Sequence, residues 1–231
     1  MLELAQIDAY YGASHVLREI DLSVQSGEIV SILGRNGVGK TTLLKSILGL
    51  EVRTRGTITL DGEDITARPT YLRARAGIGY VPQGRELIPD FSIRDNILMG
   101  CYGRTDRRRL VPDLVRDLFP YLRDNLGRRA GLLSGGQQQQ LAIARALASE
   151  PRILLMDEPT EGIQPNIVEQ IEDTIQRLNK QVGLTIVLVE QNVKFARAAS
   201  HHFCIIERGE IAASGAIDAL TDDIVRKHMT V

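Results

Sequence analysis

The segment Gly34-Arg35-Asn36-Gly37-Val38-Gly39-Lys40-Thr41 sets glycines, one lysine and one hydroxyl at the spacing G-x-x-x-x-G-K-[ST]. At this spacing backbone N–H groups cradle phosphates, the lysine reaches the β/γ-phosphates and the threonine hydroxyl binds Mg²⁺. A short apolar run, Glu28 to Leu33, precedes it. Lys40 to Leu50 follows, with Leu43, Leu44, Ile47 and Leu48 at helical spacing. That is the strand–loop–helix setting in which a helix N-terminus becomes an anion site. Thr42 is placed to add a contact to the α-phosphate. Further along, Asp157 and Glu158 close the apolar run Ile153-Leu154-Leu155-Met156. Open α/β sheets set ligand-facing groups at such strand ends. Consecutive side chains on an extended backbone point to opposite sides, so Glu158 is expected opposite Asp157, where it can polarise an attacking water as general base. Ser134-Gly135-Gly136, at the start of a helix carrying Leu141, Ala144 and Leu147, has the composition of a second anion nest. Gln83 follows a strand end at Tyr80-Val81-Pro82, and Tyr11 offers a ring able to stack on a base.

With Leu133-Ser134-Gly135-Gly136-Gln137 added, these segments resemble the ATP-binding cassette (ABC) family, and the likeness covers nearly the whole chain. The Leu-Ser-Gly-Gly-Gln string resembles the family signature. Tyr11-Gly12 resembles the adenine-stacking loop, Gln83 the Q-loop glutamine, and Ile153 to Glu158 the strand that ends in the magnesium aspartate and the catalytic glutamate. The resemblance implies ATP as substrate with Mg²⁺. Thr41 and Gln83 would ligate the ion, and Asp157 would hold it through water. Ser134, Gly135, Gly136 and Gln137 would reach the ATP of a second cassette, a copy of this chain or a related one, in a head-to-tail dimer. It also implies two transmembrane permease subunits as partners and, indirectly, a periplasmic solute-binding protein. The subunit would be cytoplasmic, peripheral on the inner face of the plasma membrane, and an ATPase whose hydrolysis drives import.

The fold expected is α/β: a phosphate-loop core, an antiparallel β subdomain and an inserted α-helical subdomain. Leu2 to Ala9 and Arg18 to Val24 read as strands, as does Thr57 to Leu60 before the turn Asp61-Gly62. Residues 84–147 form the helical insertion within one domain spanning 1–231. Arg152 to Met156 and Leu184 to Val189 read as buried strands flanking a helix from Gln164 to Gln181. Strands follow at His202 to Glu207 and Glu210 to Ser214, then a helix from Ile217 to Lys227.

Two positions depart from the family pattern. Gln191, in Val189-Glu190-Gln191-Asn192, stands where a switch histidine is usual. Its amide can hydrogen-bond a γ-phosphate but cannot carry a proton or a positive charge. Gln164 replaces the usual aspartate of the loop after Glu158. Both departures resemble the cassettes of branched-chain amino acid and urea importers. Within that branch, Gly34 to Lys40, Ala76 to Glu86, Glu161 to Pro165 and Val225-Arg226-Lys227-His228 are most like the urea-system cassette. Branched-chain amino acid import is the alternative, and a non-hydrolysing ATP-binding regulatory module a further one, motivated by Gln191.

Composition narrows the rest. The chain has 231 residues, is 43% hydrophobic and 25% charged, and carries a formal charge of −1. This is ordinary for a globular domain and argues against nucleic acid as partner. It carries neither tandem cassettes nor a long coiled coil, as cassettes acting on DNA or ribosomes do. No run of roughly 18 apolar residues is present, and no signal peptide is expected. Cys101 and Cys204 read as reduced thiols. His201-His202 read as a surface corner, and Arg104 to Arg109 as a solvated face.

Overall fold

In the computed structural model, which describes residues 1–229, the chain opens with strands β1 (Leu2–Tyr11), β2 (Ser14–Val24) and β3 (Ile29–Leu33), then helix α1 (Lys40–Leu48). Strands β4 (Arg53–Leu60) and β5 (Glu63–Asp64), helix α2 (Thr70–Arg75) and strand β6 (Ile78–Val81) follow. Four helices come next: α3 (Ile93–Gly100), α4 (Asp113–Leu118), α5 (Pro120–Asp124) and α6 (Gly135–Leu147). The chain then alternates β7 (Ile153–Asp157), α7 (Pro165–Val182), β8 (Thr185–Glu190) and α8 (Val193–Ala199). It closes with β9 (His202–Glu207), β10 (Glu210–Ala216) and α9 (Asp222–Met229).

Two sheets result. One is antiparallel, in the order β2-β1-β4-β5; the other runs β10-β9-β3-β8-β7-β6, parallel except for β10. The central strands are buried on both faces, as parallel strands covered by helices must be. Side chains alternate across the sheet. Ile153, Leu155, Val187 and Val189 join Leu43, Leu44 and Ile47 of α1 and the inner residues of the antiparallel sheet. Leu154, Met156, Ile186 and Leu188 face Leu141 and Ile143 of α6 and Ile171 and Ile175 of α7. The phosphate-loop helix is thus packed between two sheets, and the signature helix lies on the opposite face.

The α1 helix ends on a buried guanidinium. Arg73, on α2, donates to the carbonyls of Ser46 and Ile47 (both 2.8 Å) and to those of Thr66 and Arg68. It satisfies C-terminal acceptors of α1 that lack a partner within the helix. No carboxylate pairs with it in any hydrogen bond or ion pair described, and burial lowers its pKa.

Several expectations shift. Helices α2 and α8 were not foreseen. The last helix starts at Asp222, because Ile217–Ala219 is a 3₁₀ turn. Arg104 is not part of a solvated face: its side chain is 7% exposed and pairs with Asp106 and Glu150. His201 is exposed, yet its Nδ1 accepts the Ile29 N–H at the start of β3. Among the described residues both cysteines are free and buried, and no helix is long and apolar enough to cross a membrane.

Candidate active site

The phosphate loop turns out of β3 through backbone that only glycine adopts readily. Gly34 has φ +151°, and a Cβ there would stand 2.5 Å from the Ile206 carbonyl oxygen; Gly39 has φ +112°, and a Cβ there would meet Leu17 Cδ2 at 2.6 Å. Arg35, Asn36 and Gly37 are exposed, Val38 is half-buried, and Thr42 is buried in the first turn of α1. Lys40 folds back over the loop. Its Nζ donates to the carbonyls of Gly34 (2.8 Å) and Arg35 (3.0 Å) and lies 3.2 Å from Glu158 Oε1.

Beneath the loop, Thr41 Oγ1 donates to Asp157 Oδ1 at 3.2 Å. Burial pushes the Asp157 carboxyl up to about 6, against the pull of the Thr41 hydrogen bond. Its Oδ2 is buried with no hydrogen-bond partner among the described residues. The Tyr80 phenol is raised as well, by burial and by the Asp157 charge.

Glu158 is not on extended backbone. β7 ends at Asp157, and Glu158 turns to φ +45° with its N–H donated to Val189 O at 2.9 Å. This turn, and not strand alternation, aims its carboxylate at Lys40. Two amides close on the same carboxylate. Gln191 Nε2 lies 3.0 and 3.1 Å from its two oxygens and 2.5 Å from Asn36 Oδ1. Gln83 Nε2 lies 3.4 Å from Glu158 Oε2 and donates to Glu161 Oε2 at 2.8 Å. Four segments distant in sequence thus meet at one carboxylate.

The signature residues stand apart. Ser134 caps α6, accepting from Gln137 N at 3.3 Å, while Gln137 Oε1 accepts from Ser134 N at 3.0 Å. Ser134 and Gly135 are exposed, and among the described residues no hydrogen bond joins Ser134 to Gln137 with the phosphate loop. Gly136 fits against α7, where a Cβ would come 2.6 Å from Ile167 Cγ2. Tyr11 is 40% exposed at the end of β1, whereas its neighbour Tyr10 stacks on His15 at 4.3 Å. Gln164 precedes α7 without a side-chain cap.

Sequence reasoning passed over Glu190, the last residue of β8, which is 2% exposed. Burial raises its pKa, and hydrogen bonds from Thr160, Asn192 and Gln191 oppose the rise. The available signal was its place directly after the apolar run Ile186 to Val189, the same signal that marks Asp157.

A family model described as "ABC transporter" matches residues 17–161. The chain belongs to this family. It is an ATP-binding ATPase subunit of the ABC type. Over 91% of both chains it is 38% identical to the high-affinity branched-chain amino acid transport ATP-binding protein BraG of Pseudomonas aeruginosa. It is 36% identical to a probable branched-chain amino acid transport ATP-binding protein, LivF, of Archaeoglobus fulgidus, over 96% of this chain and 94% of the relative. It is also 35% identical to the lipopolysaccharide export system ATP-binding protein LptB of Escherichia coli, over 94% and 91%. Among solved structures, the ADP conformation of the ABC transporter cassette MJ1267 matches with TM-score 0.84 and 26% identity over 98% of this chain and 97% of that one. A dimeric post-hydrolysis state of the cassette MJ0796, bound to ADP and Pi, matches with TM-score 0.81 and 27% identity over 94% and 99%.

Proposed function

We propose that this subunit hydrolyses ATP at composite sites of a cassette dimer and thereby powers an importer, with urea as cargo. The observation that carries the mechanism is the convergence of Lys40, Gln83, Gln191 and, through Gln191, Asn36 on the Glu158 carboxylate. In this reading the triphosphate lies in the loop Gly34 to Thr42, with adenine against Tyr11. Lys40 turns from Glu158 to the β/γ-phosphates. Glu158, released, accepts the proton of the attacking water, and Gln83 and Gln191 hold its orientation. Gln191 donates to the γ-phosphate without any proton transfer of its own.

Thr41 and the unpartnered Asp157 Oδ2 are hard oxygen donors, which suit Mg²⁺. Thr41 and Gln83 would ligate the ion and Asp157 would hold it through water, and its charge would neutralise the phosphate oxygens when bound. The exposed Ser134-Gly135-Gly136-Gln137 face would complete the partner's site, so that a monomer holds only half of each. Residues 84–147 would carry closure to two permease subunits at the inner face of the membrane, with a solute-binding protein delivering cargo outside.

The urea reading rests on the four segments quoted above. Branched-chain amino acid cargo is the second reading, favoured by the two relatives named for that transport. Uptake of labelled urea and labelled leucine, measured in source cells carrying Lys40→Ala, separates them. Loss of urea uptake alone supports the first, and loss of leucine uptake alone replaces it with the second. A Glu158→Gln protein with undiminished ATP turnover would remove Glu158 from the mechanism.

A further inference from the structure

The Glu190 carboxylate accepts four hydrogen bonds from two loops. Its Oε1 takes the Thr160 N–H at 3.2 Å and the Thr160 hydroxyl at 2.8 Å. Its Oε2 takes the N–H groups of Gln191 at 3.2 Å and Asn192 at 3.3 Å. Thr160 lies on the loop that leaves Glu158. Gln191 is the residue whose amide meets both Glu158 oxygens. Asn192 in turn caps α8 through Phe195 N at 3.1 Å. One buried carboxylate therefore ties the loop after β7 to the loop after β8, on either side of Glu158.

We propose that Glu190 is a positioning residue for ATP hydrolysis, fixing the Gln191 backbone and the Thr160 loop so that the Glu158 carboxylate keeps one orientation. This rests on the reading of Glu158 as the base. The chemistry selects a carboxylate. All four partners are donors, and only an ionised acid offers two oxygens that both accept in pairs. Glutamine of the same shape turns an NH₂ toward two donors on one side. Aspartate is one methylene short of reaching both loops. An acid retained only for packing would yield to its isostere with a change in stability and none in turnover number.

The test is steady-state ATP turnover and thermal melting of the purified protein as wild type, Glu190→Gln, Gln191→Ala, the double variant and Glu158→Gln. Glu190→Gln is expected to lower kcat about 10- to 100-fold, the scale of a small misplacement of catalytic groups, while KM for ATP stays within about twofold. The double variant is expected to lose little beyond the larger single loss, because both changes act through one loop. Wild-type kcat in Glu190→Gln, or fully additive losses, would overturn the inference. If Glu190→Gln fails to fold, Thr160→Ala removes one hydroxyl donor from the same carboxylate: a lowered kcat at constant KM supports the role, and an unchanged kcat overturns it. Glu158→Gln separates the two readings. Its turnover staying at wild type defeats the base assignment and this inference with it. Its loss alongside a fully active Glu190→Gln defeats this inference alone.

Discussion

Lys40 holds three acceptors with one ammonium, two of them carbonyls of its own loop. In the proposed reading Lys40→Ala removes the charge that would meet the phosphates. Charge-assisted hydrogen bonds contribute about 1.5–3 kcal/mol each, so ATP affinity is expected to fall at least about tenfold in calorimetric titration. Glu158→Gln keeps the shape and removes the proposed base: ATP should still bind, while turnover should fall roughly 10²- to 10⁴-fold. Cys204 supplies a pH prediction. Burial pushes its thiol up to about 12 from an ordinary 9.0. Between those values the unfolded chain has lost the proton that the folded chain keeps, so stability falls as pH rises through 9. The slope is up to about 1.4 kcal/mol per pH unit, and Cys204→Ala should be flatter by that contribution in denaturant titrations at pH 8 to 10. Legibility varied at this scale. Spacing revealed the phosphate loop, because its glycines and lysine are needed in the same register wherever phosphate is cradled. The left-handed turn at Glu158 was hidden, because Pro159 favours extended backbone before it and the Val189 carbonyl that anchors the turn is remote in sequence. Glu190 was hidden because Glu-Gln-Asn after a strand looks like a solvated corner.

Among elements, α1 depends on Arg73. Arg73→Ala would take the guanidinium donor from the Ile47, Thr66 and Arg68 carbonyls and leave Ser46 O with only the Gly49 N–H, at a cost of about 1–3 kcal/mol per buried group left unpaired. A loss of about 2–4 kcal/mol is expected in chemical denaturation, with no residue of the phosphate loop altered. The strands β3, β7 and β8 were legible as short, largely apolar runs, and α1 and α7 by helical spacing. Helices α2 and α8, of six and seven residues, are too short for a periodic pattern. Helix α2 is held by a contact from elsewhere, the carbonyls that Arg73 caps, and α8 has one local signal, the Asn192 side chain that caps its first turn.

For the molecule as a whole, the proposed composite site requires a second chain to bring an exposed signature face to the phosphate loop, with which it shares no hydrogen bond among the described residues. Glu158→Gln with ATP is expected to run as a dimer in analytical ultracentrifugation. Ser134→Arg added to it should still bind one ATP per chain and stay monomeric. A Glu158→Gln protein that remains monomeric with saturating ATP would sink the composite-site reading. The apolar runs of the central strands pointed to burial on both faces, but sequence could not say which face takes α1 and which takes α6, since both are equally apolar.

The Lys40–Glu158 contact makes the site resemble an ion exchanger loaded with its own counter-ion. In the proposed reading ATP would not find a bare cation; it would displace one anion and take its place, and the displaced group would be the one the reaction then needs. Departing phosphate would in turn be pushed off by the returning carboxylate. Glu158→Gln should therefore do more than stop chemistry. With no internal anion to compete for Lys40, it should hold ADP and inorganic phosphate longer than the wild type, which stopped-flow dissociation of a fluorescent ADP will read directly.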